Sequence, residues 1–136
     1  MPPSPDDRRY SKEHEWLQTD GDTATIGITD FAQDQLGDIV YVDLPAPGAT
    51  ITQFEKMGEI ESVKAVSDLY TPASGEVLEA NQHVVAKPEI VNTDPLGEGW
   101  LIRIRVSDQS EADSLLSAAD YDAFIAAEQN DQAIGP

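Results

Sequence analysis

The sequence predicts a mainly β protein, either an all-β sandwich or a small barrel, with helices only at its edges. Many short segments alternate apolar and polar residues with a period of two, and turn-forming Gly, Pro, Asn and Asp residues separate them at near-regular intervals. Helical patterns occur only after the first pair of strands and towards the C-terminal end. Short strands spaced in this way favour a sandwich or barrel around one core.

Each strand is predicted from its own local pattern. The first two flank a turn at residues 20–22, so we expect them to form an N-terminal hairpin. Several of the others end at Pro or Gly, which favour turns. The predicted strands cover residues 10–17, 23–28, 39–44, 49–51, 58–63, 66–70, 76–80 and 100–106.

Three short helices are predicted beside the strands. Thr29 supplies a cap for a helix over 31–36, which Gly37 ends. A helix of this length is not stable alone, so we expect it to pack on the sheet. Ser110 and Ser117 each begin a segment that resembles a capping box with Asp in place of Glu, and these segments predict two short C-terminal helices.

Length and composition indicate one globular domain. The 136 residues are 40% hydrophobic and 25% charged, which suits a folded chain with a real core. We expect a flexible Pro-rich leader over residues 1–9, a single domain over residues 10–128 and a frayed tail over residues 129–136. The leader resembles neither a signal peptide nor a transit peptide, and no apolar run approaches the roughly 20 residues of a membrane span. We therefore expect a bacterial or archaeal cytoplasmic protein, or a mitochondrial matrix protein only if a transit peptide has been removed.

Charge and residue usage exclude several classes of function. The 26 acidic and 8 basic residues give a net charge of −18, which repels phosphates and anionic lipids and so excludes nucleic acid and membrane partners. The acidic residues could steer the chain towards basic partners or keep it dissolved in a salty cytoplasm. We favour the second because they are spread along the whole chain. Without cysteines there is no disulfide or thiolate metal site, and His14 and His83 alone leave little for a zinc site or a histidine-based triad.

One lysine stands out by its position between two strands. Lys64 lies between the predicted strands 58–63 and 66–70, and Gly58 and Gly75, which we expect to allow tight turns, flank the stretch. A lysine placed in this way holds its ε-amine in solvent, where another enzyme can reach it. On spacing alone an ordinary surface lysine is the more frequent case, because most lysines are exposed.

The neighbours of Lys64 suit attachment better than catalysis. Glu59, Glu61 and Asp68 favour the charged ammonium and oppose nucleophilic chemistry at the amine. A lysyl amide of a long acyl group would instead form a tether between active sites. Since no constellation of base, nucleophile or metal ligands appears in the sequence, we expect a non-catalytic carrier.

Further motifs accompany Lys64 along the chain. Residues 61–65 read Glu-Ser-Val-Lys-Ala, residues 67–70 read Ser-Asp-Leu-Tyr, and residues 72–77 read Pro-Ala-Ser-Gly-Glu-Val. Seven other segments are Lys12-Glu-His-Glu-Trp16, Gly27-Ile-Thr-Asp-Phe-Ala-Gln33, Leu36-Gly-Asp-Ile-Val40, Leu44-Pro45, Val91-Asn92, Asp94-Pro95 and Gly97-Glu-Gly-Trp-Leu101. In this order, over roughly residues 10 to 127, the chain resembles the glycine cleavage system H protein family, and the stretch at Lys64 resembles its lipoylation motif.

The resemblance implies a fold, a cofactor and partners. The fold is a barrel-sandwich hybrid of the lipoyl and biotinyl carrier type, with an added N-terminal hairpin and C-terminal helices. Lipoic acid would be attached to Lys64 through an amide. The arm would take an aminomethyl group from the pyridoxal-phosphate enzyme glycine decarboxylase, present it to the tetrahydrofolate-dependent aminomethyltransferase, and be reoxidised by dihydrolipoamide dehydrogenase. A lipoate-attaching enzyme is a fourth partner, and the chain is expected to be a monomer.

The resemblance also suggests residues that contact the arm or its ligase. In the family, the loaded arm folds into a surface cleft near the His-Glu-Trp segment and the aspartate four residues after the lysine. Carried over, Glu15 and Asp68 could pair with a charged amine on the arm, or could be solvated carboxylates. Glu61 is interpreted as a residue that the lipoylating enzyme recognises. Some relatives have a histidine where this chain has Phe31, so no imidazole is available at that position here.

Two alternatives stay open at the level of sequence. Biotin carriers have a methionine on each side of their lysine, whereas Val63 and Ala65 flank Lys64. Lipoyl domains of 2-oxoacid dehydrogenases usually have Asp before the lysine. A lipoyl or biotinyl domain of another multienzyme complex is therefore the weaker alternative. An H-like protein that donates lipoyl groups to other enzymes fits the same residues.

Overall fold

Two antiparallel sheets form the framework of the computed structural model, which describes residues 3–134 and side chains as far as residue 128. The six-stranded sheet has the order β1-β2-β3-β9-β8-β5, and the three-stranded sheet has the order β4-β6-β7. This arrangement confirms the predicted β-sandwich. The strands are β1 Arg9–Tyr10, β2 Glu15–Asp20, β3 Thr23–Ile28, β4 Ile39–Asp43, β5 Thr50–Ile51, β6 Lys56–Ser62, β7 Val66–Tyr70, β8 Gly75–Ala80 and β9 Ile102–Val106.

The helices lie at the edges of the sandwich, as expected, but differ from the prediction in detail. They are α1 Asp30–Leu36, α2 Gln82–Ala86, α3 Ile90–Thr93, a 3₁₀ helix Gln109–Ser114 and α4 Ala118–Ile134. The first of the two predicted C-terminal helices is the 3₁₀ helix, and its cap is Asp108 rather than Ser110, because the Asp108 side chain accepts from the Ser110 amide. The second is α4, whose backbone continues through much of the predicted frayed tail, and residues 135–136 lie outside the described residues.

The main core lies between the two sheets. Its side chains come from alternate positions of the strands, as the period-two pattern predicted. Burying each large aliphatic side chain contributes about 1.5–3 kcal/mol, so these residues hold the sheets together. The most deeply buried members include Ile26, Ile60, Leu69, Val77, Val84, Val91, Leu101, Ile102 and Ile104.

A second, aromatic cluster joins the helices to the N-terminal hairpin. The rings of Tyr10 and Tyr121 stack with centroids 4.8 Å apart, and Trp16 and Phe31 are buried in the same cluster. The Trp16 indole nitrogen donates to the carbonyl of Pro95 at 3.1 Å. Through Phe31 the short helix α1 gains the packing that its length alone could not provide.

The segment before β1 also contacts this cluster. The Ser4 hydroxyl donates to Asp122 on α4, and the guanidinium of Arg8 lies 4.7 Å from the ring centre of Trp16. The flexibility predicted for residues 1–9 stays a prediction. No helix within residues 3–134 is long and apolar enough to cross a membrane.

Two glycines beside the lysine hairpin allow close backbone packing, which corrects the expectation that they form tight turns. Gly58 lies inside β6, where a Cβ would overlap the carbonyl oxygen of Asp43 on β4. Gly75 begins β8, where a Cβ would overlap the carbonyl oxygen of Arg105 on β9. The absence of a side chain therefore permits both strand pairings.

We expect Gly58→Ala to lower the free energy of unfolding by about 1–3 kcal/mol, because the added methyl must displace strand β4. Urea denaturation of the two proteins measures this difference. Gly21→Asn is the matched control, since no other part of the chain lies within 4 Å of its Cβ position and Asn tolerates its positive φ of 64°. Equal losses in both variants would contradict the close-packing explanation.

Candidate functional site

Lys64 lies at the tip of the β6–β7 hairpin with its side chain exposed. The turn runs from Ser62 to Ala65, and the Ser62 amide donates to the Ala65 carbonyl at 2.8 Å. A Cβ on Gly37 would lie 3.5 Å from Cε of Lys64, so the stem of the lysine passes beside this glycine. The ε-amine is thus open to solvent, as the sequence predicted.

The hydroxyl of Ser62 holds the backbone of this turn. Its Oγ accepts from the Lys64 amide at 3.3 Å and from the Ala65 amide at 3.1 Å. Tight two-residue hairpins usually need a positive φ at their central residues, and neither Val63 nor Lys64 has one. Hydrogen bonds to the Ser62 side chain therefore hold this turn, which lacks the positive φ angles of an Asn-Gly turn. Sequence reasoning missed this role, although a serine beside a turn is a known signal for such a bond.

A second contact ties the turn to the loop between α1 and β4. The Val63 amide donates to the Asp38 carbonyl at 3.0 Å. Asn92 on α3 holds this loop from the other side. Its Nδ2 donates to the Gly37 carbonyl at 2.9 Å, and its Oδ1 accepts from the Ile39 amide at 2.9 Å. The position of the lysine-bearing turn therefore depends on elements on both sides of it.

Glu61, the predicted ligase contact, lies on the exposed outer face of the three-stranded sheet. It stands directly opposite Tyr41 on β4 and Val66 on β7. Side chains of directly opposed residues lie on one face of a sheet, so these three form a row three residues from Lys64. The row faces away from the main core.

An open groove of about 440 Å³ begins beside the lysine hairpin and runs between α1 and β7. It starts at Val66, two residues after Lys64, and is large enough for a flexible chain a few ångströms wide. Both polar and apolar side chains line it. They are Glu13, His14, Ala32, Gln35, Leu36, Val66, Ser67, Asp68 and Tyr70.

Asp68, one of the predicted arm contacts, is in this groove. Its side chain is 43% exposed, and its carboxylate lies 3.3 Å from the ammonium of Lys56. The Tyr70 hydroxyl also donates to it at 3.4 Å. Asp68 therefore presents an exposed carboxylate that an amine in the groove could reach.

Glu15, the other predicted arm contact, is buried and does not line the groove. It is 2% exposed, accepts from the Ser11 hydroxyl at 2.8 Å, and accepts from the Tyr70 amide at 3.4 Å. Burial raises the pKa of Glu15 to about 8, although the bonds from Ser11 and Tyr70 oppose this. Its carboxyl thus joins β2 to β7 beneath Tyr70, while Asp68 lies on the groove side of the same strand.

His14 forms the far end of the groove and links it to α4. Its Nδ1 lies 2.8 Å from the hydroxyl of Tyr121, and its Nε2 lies 3.3 Å from a carboxylate oxygen of Glu128. Burial lowers the pKa of His14, while Glu128 opposes that shift. Phe31 lies 4.9 Å from the imidazole and is buried in the aromatic cluster, so its side chain does not line the groove.

Most of the chain matches known proteins. The family model described as "Glycine cleavage H-protein" matches residues 8–128. A "Glycine cleavage system H protein" of Symbiobacterium thermophilum is 54% identical over 120 residues, which cover 88% of this chain and 94% of that protein. A "Probable glycine cleavage system H protein" of Natronomonas pharaonis is 53% identical, covering 90% of this chain and 96% of that protein.

A solved structure has the same fold. The crystal structure of a glycine cleavage system H protein from Mycobacterium marinum superposes with a TM-score of 0.85 at 38% identity. The match covers 90% of this chain and 99% of that chain.

The Ser62 hydroxyl gives a direct test of how the turn is held. We expect Ser62→Ala to lose about 1 kcal/mol of unfolding free energy, because two amides lose their acceptor. Amide hydrogen exchange should become faster at Lys64 and Ala65. Ser62→Thr keeps the hydroxyl and is expected to retain slow exchange, and equally slow exchange in the alanine variant would contradict this role.

The buried carboxyl of Glu15 predicts a pH dependence of stability. Its pKa of about 8 in the folded chain lies above the ordinary value of 4.5, so the folded state binds the proton more tightly. Its stabilising contribution is therefore complete below pH 4.5 and is lost as the pH rises through 8. We expect the wild-type free energy of unfolding to fall over this range relative to that of Glu15→Gln, which cannot ionise. The glutamine Oε1 can still accept from the Tyr70 amide, and its Nε2 can donate to the Ser11 hydroxyl.

Chemical denaturation at a series of pH values measures the difference between the two proteins. Glu55→Gln removes the same charge at an exposed position and should follow the wild-type curve. Parallel curves for wild type and Glu15→Gln would show that Glu15 is not protonated on folding.

Proposed function

The chain belongs to the glycine cleavage H-protein family, and from this premise we propose that Lys64 is the residue that carries lipoic acid. Members of the family are non-catalytic carriers of the glycine cleavage system. The chain accordingly carries the aminomethyl group of glycine from glycine decarboxylase to the aminomethyltransferase, and its third partner is dihydrolipoamide dehydrogenase. The family premise does not favour a lipoyl relay or a domain of another complex.

The surroundings of Lys64 fit an attached lipoyl group. The exposed amine at a hairpin tip is open to an acylating enzyme, and the adjacent groove of about 440 Å³ provides room for an acyl chain. Attachment joins Nζ of Lys64 to the carbonyl carbon of an activated lipoyl donor, with release of the activating group and a proton. When attached, the lipoyl group would supply a disulfide that can be reduced to a dithiol and oxidised again.

The chain's own residues position this arm. Ser62 and Asp38 hold the backbone of the turn, so the base of the arm has one conformation while its end is free to move. Glu61, exposed three residues before Lys64, is proposed as a contact of the lipoate-attaching enzyme. Asp68 is proposed to bind an amine on the arm through its exposed carboxylate.

Glu15 is proposed to support the same site from below. Its carboxyl holds the Tyr70 amide, two residues after Asp68, and so fixes the strand that lines the groove. An ammonium brought into the groove would favour ionisation of Glu15, because an opposite charge stabilises the carboxylate. The two carboxyl groups therefore differ in environment, since Asp68 is exposed and Glu15 is buried.

We also propose that the protein works in the cytoplasm of a bacterium or archaeon. The support is that related proteins occur in organisms of both groups, among them Symbiobacterium thermophilum and Natronomonas pharaonis.

The attachment site is tested by intact mass spectrometry after co-expression with a lipoate-attaching enzyme. We expect one added lipoyl mass on the wild type and none on Lys64→Arg, because arginine keeps the charge but offers no acylable amine. Lys12→Arg, Lys56→Arg and Lys87→Arg are matched controls and should be modified as fully as the wild type. A lipoyl mass that persists on Lys64→Arg would place the attachment elsewhere.

A further inference from the structure

Exposed apolar side chains cluster around the tip that bears Lys64. Val40, Tyr41, Val63 and Val66 are exposed by 51%, 54%, 70% and 61% respectively. They make up four of the seven large apolar residues that are exposed in the described part of the chain. We call these four residues the apolar collar. Apolar patches that stay exposed on a soluble domain commonly mark contact sites.

Strand register places the collar on the outer face of the three-stranded sheet. Tyr41 and Val66 flank Glu61 in one row across β4, β6 and β7. Glu61 is three residues from Lys64, so this row lies within about 10 Å of it along the strand. Val63 is the direct neighbour of Lys64 in the turn. The collar therefore lies beside the turn that bears Lys64.

A bulge in β4 brings the aromatic residue into the collar. The pairing register with β6 shifts between Ile39 and Tyr41, so Val40 and Tyr41 are both exposed although they are adjacent in sequence. Regular alternation would have exposed only one of them. The bulge thus adds an exposed apolar side chain at the edge of the hairpin tip that bears Lys64.

Acidic residues border the collar on the same face. Asp43, Glu59 and Asp68 stand opposite one another in the next row of the sheet. Lys56 pairs with two of them, with its ammonium 2.7 Å from Glu59 and 3.3 Å from Asp68. The surface beside Lys64 therefore combines exposed apolar side chains with the carboxylate of Glu61 between Tyr41 and Val66, and it has further acidic residues at its border.

We propose that the apolar collar is the docking surface of the lipoate-attaching enzyme, with Tyr41 as its aromatic anchor. The inference rests on the proposed role of Lys64. An enzyme that acylates Nζ must approach to within the length of one lysine side chain, and so must cover the collar. Enzymes that use the completed arm act at the end of a much longer extension and need not cover its base.

The collar also defines the chemistry of the enzyme surface that fits it. Tyr41 and the three valines lose water when covered, which provides the favourable free energy of docking. The acidic border pairs with basic residues at the edge of the enzyme's active-site entrance, which orients the complex. The matching surface therefore offers apolar contacts around the entrance and basic groups that face Glu61 and the acidic border.

The test is steady-state lipoylation of the purified, unmodified chain by a lipoate-attaching enzyme, followed by intact mass at varied chain concentration. We expect Tyr41→Ser and Val66→Ser each to raise KM by about tenfold with kcat changed by less than about threefold, since loss of one anchor weakens docking and leaves the reacting groups in place. Tyr41→Phe keeps the apolar ring and should retain the wild-type KM.

Phe54→Ser and Leu78→Ser are matched controls. Both residues are exposed, by 51% and 37%, and lie outside the collar. They should leave KM unchanged. Thermal unfolding of each variant shows whether a change in KM accompanies a loss of fold.

The outcomes separate this inference from the proposed function. Unchanged KM in Tyr41→Ser and Val66→Ser, with Lys64 still acylated, would overturn the collar and leave the attachment site intact. An equal rise of KM in Phe54→Ser would show that the effect is not specific to the collar. If the collar variants slow only the decarboxylase or the aminomethyltransferase, the surface serves those enzymes and the inference is wrong. Persistent acylation of Lys64→Arg would overturn the proposed function itself.

Discussion

The position of Lys64 depends on one hydrogen bond, which the Val63 amide donates to the Asp38 carbonyl at 3.0 Å. A carrier lysine has to be free at its end and fixed at its base. A hairpin that projects from a sheet edge would be mobile if only its own strands supported it. Here the tip is bonded to the α1–β4 loop, and Asn92 on α3 holds that loop through the Gly37 carbonyl and the Ile39 amide. The helices at the edge of the sandwich thus set the position of a residue in a different element.

The same region separates two carboxyl groups by environment. Asp68 is half exposed and paired with Lys56, whereas Glu15 lies beneath the strand and is 2% exposed. Burial raises the pKa of Glu15 to about 8. Asp68 therefore offers an exposed carboxylate to the groove, while Glu15 makes buried hydrogen bonds and its charge depends on its surroundings. Residue type alone does not distinguish the two.

Much of the framework could be predicted from sequence, and the failures have identifiable physical causes. The strands at 23–28 and 66–70 were predicted with their observed bounds because polar and apolar residues and local turn signals mark them clearly. Helices α2 and α3 were missed because four or five residues between Asn, Pro and Asp signals carry no amphipathic period. Strand β9 begins at Ile102 rather than at Trp100, which instead stacks with Arg103, 4.3 Å from its ring centre.

In the candidate site too, features that depend on neighbouring residues could be predicted, whereas features that depend on distant residues could not. The exposure of Lys64 follows from its place between two strands. The burial of Glu15 could not be predicted, since it depends on Ser11 and on the amide of Tyr70, 55 residues away. The exposure of Tyr41 depends on a bulge that breaks the alternation of its strand, and a change in register is visible only when both strands are paired.

The way Ser62 closes the turn has a consequence for a protein that is loaded and unloaded repeatedly. Every bond that shapes the turn uses a backbone group or the serine hydroxyl, and none uses Nζ of Lys64. Acylation of the amine therefore leaves these bonds in place, so the backbone at the tip has no cause to rearrange when the arm changes its chemical state. Each partner enzyme therefore binds a turn of the same conformation, whatever is attached to Lys64. Each must distinguish the loaded from the unloaded protein by contact with the attached group itself.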